Sequence, residues 1–170
     1  MKQLFVTLGK QKRLTINRPK PMIYLIGSLR NPKIPLLANR LEAAGYEVFA
    51  DWYGAGETAD DSWQAYETIR GHSYLDALNG YAARHIFEFD LTHLMRADTV
   101  VLLTPAGTSG HLEFGWAIGA GKRGFILLHE IPRRWDVMRC FAHGVFLHES
   151  DLLSALHRDH SVSRHHSNST

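Results

Sequence analysis

From Met22 onward, short apolar runs alternate with helical patterns, and this alternation constrains the fold more than any other feature of the chain. The run Met22-Ile23-Tyr24-Leu25-Ile26-Gly27 reads as a first strand. Residues 46–52, 98–104, 124–128 and 144–147 read as four more. Residues 98–104 form a continuous β-branched run, the pattern of a strand covered on both faces. Helical patterns fall between them at about 32–44, 60–70, 73–84, 87–96, 111–120, 133–141 and 150–158. Pro32 suits a first turn, Asp60 and Asp61 offer an N-cap, and Gly45, Gly71 and Gly121 act as stops. Strands joined by crossover helices make a parallel sheet. The expected fold is α/β: a flavodoxin-like, doubly wound, five-stranded parallel sheet of order 2-1-3-4-5. Ligands of such sheets bind beyond the carboxyl ends of the strands, where the order reverses. That places function on residues 28–30, 51–53 and 104–113.

The 170 residues fit one domain, with no repeat and no internal linker. We divide the chain into a basic N-terminal extension (1–21), a domain (22–158) and a flexible C-terminal tail (159–170). The extension carries Lys10, Lys12, Arg13, Arg18 and Lys20, and the tail is poor in apolar residues. A net charge of +2 argues against a nucleic-acid polymer as partner. No run approaches the roughly 20 apolar residues of a membrane span. Cys140, the single cysteine, excludes an internal disulfide and fits a cytoplasmic location.

The segment from His111 to Ala120 is apolar nearly all round, which predicts a helix buried nearly all round. Glu113 is its only acid, with no cation one turn away. A buried carboxylate without a partner is costly, so it is either aimed at a site or protonated. Placed in the first turn, Glu113 is expected to be held ionised by the helix dipole, a competent nucleophile. A capping box would need Ser or Thr three residues earlier, where Gly110 stands, though a glycine cap stays open. Asp90 borders the apolar stripe Phe87, Leu91, Leu94 and Met95. It reads either as a second carboxylate reaching the same pocket or as a boundary acid facing water.

Glu113-Phe114-Gly115-Trp116-Ala117, followed by Gly121-Lys122, resembles the E-x-G-x-A-x-x-x-G-K signature of the nucleoside 2-deoxyribosyltransferase family, which includes nucleotide N-glycosidases. Residues 23–27 resemble its first strand, and Asp90 falls where an acid precedes its third. The resemblance spans residues 22–128. It implies that Glu113 attacks an anomeric carbon, that Asp90 helps protonate the departing base, and that Tyr24 hydrogen-bonds and orients Glu113. It also implies a homo-oligomer acting on a small nucleoside or nucleotide, with water or a second base as acceptor. Six residues before Glu113, where transferases tend to carry Asp and nucleotide hydrolases Ser, this chain has Gly107; Thr108 or Ser109 can stand in. Ser28 and Arg30, with Gly27, Ser109, Gly110 and the backbone amides there, are candidates to cradle a 5′-phosphate. Each also reads as a turn or surface residue. Trp52, Tyr53, Trp63 and Tyr66 in the long 52–84 stretch either stack on a base or pack.

Other chemistries lack their motifs. No Walker or dinucleotide glycine loop follows the first strand, and neither H-E-x-x-H nor G-x-S-x-G occurs. Glu57, Asp60 and Asp61 read as a solvated helix start rather than a divalent-ion site, and neither metal nor cofactor is expected. Two rival functions remain. One is a glycohydrolase of NAD or a nucleotide second messenger using the same glutamate; the other is a non-catalytic nucleotide-binding sensor.

Overall fold

The computed structural model describes residues 21–166, with side chains to residue 158. Five parallel strands, β1 (Met22–Ile26), β2 (Glu47–Phe49), β3 (Thr99–Leu103), β4 (Arg123–Leu127) and β5 (Gly144–Phe146), form one sheet of order β2-β1-β3-β4-β5. The sheet is the one the sequence predicts. Six helices accompany it: α1 (Lys33–Ala43), α2 (Ala59–Ile69), α3 (Tyr74–Leu78), α4 (Tyr81–Arg96), α5 (Thr108–Gly119) and α6 (Glu149–His166). The first 20 residues of the expected extension, and residues 167–170, lie outside the described residues. Among the described residues no helix is long and apolar enough to cross a membrane.

Strand parity sorts the core into two layers, because successive side chains leave a strand on opposite faces. Ile23, Leu25, Val101, Leu103, Phe125 and Leu127 meet Ile34, Leu37 and Leu41 of α1 and Leu152 and Leu156 of α6. Met22, Tyr24, Ile26, Val100, Leu102 and Ile126 meet Leu94 of α4 and Phe114 and Ala117 of α5. Central strands β1 and β3 are buried throughout, as continuous apolar runs demand.

Gly121 shows how the signature segment ends its helix. At φ +80° it sits in the left-handed region, and its N–H donates to Ile118 O while that of Lys122 donates to Ala117 O. This is the Schellman pattern, which glycine adopts without a Cβ penalty. Lys122 then extends its ammonium to the carbonyls of Met95 (2.8 Å) and Ala97 (2.6 Å), closing the C-terminus of α4. The Gly-Lys pair thus ends one helix and caps another.

Several boundaries differ from expectation. The helices expected at 73–84 and 87–96 divide elsewhere. A capping box of Ser73 and Asp76 starts the short α3, and α4 then runs unbroken for 16 residues from an extended Gly80. Helix α2 is capped at Thr58, with Asp60 and Asp61 inside its first turn. Strand β2 ends at Phe49, and Asp51–Ala55 coil into a 3-10 turn. The helix expected at 133–141 is only a 3-10 turn, Val137–Phe141, capped by Asp136. Trp135, Val137, Met138 and Phe141 there are all exposed, so no apolar face is buried to hold a longer helix. Backbone of α6 continues to His166, past the expected end at 158.

Candidate active site

The chemistry expected of Glu113 depends on where α5 begins. Its N-cap is Gly107, three residues earlier than the apolar pattern suggested, and no side chain caps it. Thr108, Ser109 and Gly110 are therefore helical, and Glu113 falls in the second turn. The dipole acts mainly within the first turn, so it holds Glu113 ionised less than expected. Burial decides instead. Surrounding apolar groups, and secondarily the charge of Asp90, push the Glu113 carboxyl up to about 7. The acid expected to be an anion is thus shared between its two forms at neutral pH.

Helix α5 is also less enclosed than its composition predicts. Phe114 and Ala117 enter the core, but Leu112 is 70% exposed and Trp116 43% exposed. An all-round apolar helix here has a buried face and an open one.

The charge of Asp90 is felt at Glu113. Asp90 projects from the third turn of α4, one Oδ buried without a hydrogen-bond partner. Native structures seldom leave a buried polar atom unpartnered, and such atoms gather where a ligand completes them. Burial raises its pKa, and nearby His93 opposes the rise. The His93 ring lies flat on Phe49 at 3.9 Å, its Nδ1–H donating to Phe89 O at 2.9 Å.

Tyr24 completes the group from the middle of β1, on the face that even-numbered positions share with α4 and α5. Burial, then the charges of Glu113 and Asp90, hold its phenol protonated far above the ordinary range. The charge of Asp90 acts on Glu113, and both act on Tyr24; no direct hydrogen bond joins the three among the described residues. The orienting hydrogen bond from Tyr24 to Glu113 is therefore not formed here.

The flanking loops are tied together. Asn31, 2% exposed, accepts from Lys33 N–H at 3.1 Å and reaches Pro105 O at 3.5 Å, linking the loop after β1 to that after β3. Trp52 donates its indole N–H to Leu25 O at 2.9 Å and packs against both core layers. Trp63 is half-buried, its indole N–H without a partner, and Tyr66 is exposed. Gly110 is buried against Ile26 and Gly27, where a Cβ would come within 3.0 Å of the Ile26 side chain. Ser28 accepts from Arg30 N–H at 3.2 Å, and the Arg30 guanidinium is held at 2.7 Å by Asp61. The sequence reading missed that ion pair, since nothing in the spacing of residues 30 and 61 announces it. Among the described residues no group of three His, Cys, Asp or Glu is placed to hold a metal ion.

No protein-family model and no curated protein matches this sequence. Solved structures do match. One is described as a 2-deoxyribosyltransferase from the psychrotolerant bacterium Bacillus psychrosaccharolyticus: 18% identity, TM-score 0.54, covering 78% of this chain and 90% of that one. Another is a Clostridium botulinum CMP N-glycosidase: 18% identity, TM-score 0.49, covering 79% and 97%. The first likeness is one of fold, and the second adds nothing to it.

Proposed function

We propose that this chain cleaves or transfers the N-glycosidic bond of a (deoxy)nucleoside or its 5′-monophosphate through a covalent glycosyl-Glu113 intermediate. One observation carries the reading. Two carboxyl groups from α4 and α5 and a phenol from β1 are all raised by burial, the charge of Asp90 adding to the rise of Glu113 and both charges to that of Tyr24, with an Asp90 oxygen left unpartnered. The fold shared with a protein described as a 2-deoxyribosyltransferase supports it.

Coupled carboxyls lose their protons in separated steps, leaving a range in which one is acid and the other carboxylate. Because the charge of Asp90 helps to raise Glu113, the proton rests first on Glu113. The reacting tautomer is the one in which it has passed to Asp90. In that state a Glu113 oxygen bonds to the anomeric carbon as the C–N bond breaks, and Asp90 gives its proton to the departing base. The carboxylate stabilises the oxocarbenium character that develops. Water or a second base then attacks the same carbon, Asp90 takes up a proton where the acceptor supplies one, and Glu113 is released. The neutral phenol of Tyr24 is a donor available to either carboxylate. Trp52 and the Gly107–Gly110 turn bound the space for the substrate. A homo-oligomer belongs to the same reading, supported by apolar side chains turned outward on α4 and α5, among them Phe87, Met95, Leu112 and Trp116.

Incubation with a panel of nucleosides and 5′-nucleotides, followed by chromatography for free base, tests the proposal. Release should vanish in Glu113→Gln, and an added second base should divert product to a new nucleoside if transfer operates. Release that survives in Glu113→Gln would remove the nucleophile; binding without release would leave a sensor.

A further inference from the structure

A cluster of rings joins Tyr24 to α4. Tyr24 packs on Phe49 of β2 with ring centroids 5.1 Å apart, and Phe49 stacks on His93 at 3.9 Å, their planes 10° apart. Phe89, one turn before His93, meets the same imidazole at 4.5 Å. Two aromatic rings therefore hold His93, and its Nδ1–H is fixed on Phe89 O at 2.9 Å. Nε2 is then the nitrogen that gains or loses a proton. Asp90 stands one turn before His93 on α4, the spacing that sets two side chains next to each other on a helix. An imidazolium there bears on Asp90, opposing the rise from burial, and does not register at Glu113. The other charges on the elements packed here are committed elsewhere. Arg96, one turn further along α4, is paired with Glu47 of β2 at 3.8 Å, and Lys122 is held by the carbonyls of Met95 and Ala97. On α5, His111 is fixed on Gly107 O at 2.8 Å.

One proton shared by Asp90 and Glu113 has two places to rest, and the reaction needs it on Asp90. A cation that acts on Asp90 alone favours the idle arrangement, with Asp90 anionic and Glu113 protonated. Once Nε2 has given its proton to water, that bias is gone and the proton of Glu113 can pass to Asp90. We propose that His93 is a positioning residue for this proton, its imidazolium holding the carboxyl pair idle and its neutral ring releasing the pair to react. The charge of a histidine ordinarily changes between about pH 5 and 8, so activity turns on as pH rises through that interval. The inference rests on the N-glycosidic reading and adds a regulation of the same site.

The test compares the wild type with three variants. His93→Phe keeps the stacked ring without a charge, His93→Gln removes ring and charge together, and His93→Lys is charged at every pH used. Base release from the best substrate of the panel is followed as kcat. Relative to the wild type, His93→Phe and His93→Gln should gain about fivefold at pH ~5.5 and nothing at pH ~8, whereas His93→Lys should lose about fivefold at pH ~8. A loss by the same factor at both pH values is what a merely structural ring gives, and it overturns the inference. In parallel, carboxyl-carbon NMR of the substrate-free protein, assigned with Asp90→Asn and Glu113→Gln, follows each proton. In His93→Phe, Asp90 should keep its proton to higher pH and Glu113 should lose its own earlier. Should a variant fail to fold, the wild type still decides: its Asp90 signal has to move where the His93 ring titrates, and a signal that does not move there overturns the inference. A proton that shifts between the carboxyls, with no base released by the wild type or any variant, would uphold the switch and reject the glycosidic chemistry. Base release with pH profile and carboxyl signals both unmoved would overturn the switch and leave that chemistry standing.

Discussion

Replacing Glu113 by Gln should stabilise the folded protein at alkaline pH and do little at acid pH. The carboxyl lies at about 7 in the fold against 4.5 for the free group. A raised carboxyl pKa means that the folded state binds the proton more tightly than the unfolded chain. Folding is therefore unpenalised below pH 4.5 and loses stability as pH rises towards about 7. At about 1.4 kcal/mol per pH unit, the full penalty is about 3 kcal/mol. Glutamine carries no charge to desolvate, so the variant escapes that penalty. Urea titration of the wild type and Glu113→Gln, followed by tryptophan fluorescence, should give nearly equal stabilities at pH ~4 and a gap of about 3 kcal/mol at pH ~8. In melting temperature the alkaline gap amounts to about 10 °C. Any fixed cost of a buried amide cancels when the two pH values are compared. Because Asp90 supplies the secondary part of the shift, Asp90→Asn should narrow the gap. A gap independent of pH, or a variant less stable only at alkaline pH, would refute the reasoning.

Two further outcomes follow from the packing. Lys122→Met keeps the aliphatic stem but removes two ammonium hydrogen bonds to α4 carbonyls, so thermal unfolding should show a loss of about 2 kcal/mol. Glu substitutions at Leu112 and Trp116 together should shift the mass measured by light scattering towards the monomer; an unchanged mass would exclude α5 from any interface between copies.

What the sequence disclosed followed from period and punctuation. The strands were legible because β1 and β3 are continuous apolar runs, and Gly45, Gly71 and Gly121 stopped helices where a left-handed residue was needed. Helix starts were harder. Gly107 caps α5 with no side-chain signature, so the apolar pattern alone put the start three residues late and Glu113 a turn too near the dipole. The Ser73–Asp76 box escaped notice because it uses Asp where Glu or Gln is usual. Residues 133–141 misled by composition, since Trp135, Val137 and Met138 are apolar but stand exposed. Within the site, Glu113 and Asp90 were visible as acids among hydrophobes. The counter-ion of Arg30 and the ring beneath His93 are tertiary facts that one-dimensional spacing does not encode.

The division of β1 by parity gives an engineer two independent dials. Tyr24 shares its side of the sheet with both acids, whereas Ile23 and Leu25 look the other way, onto α1 and α6. Redesigning that far layer, with Ile34, Leu37, Leu41, Leu152 and Leu156 as the positions to vary, would tune the melting temperature while the reacting groups keep their neighbours.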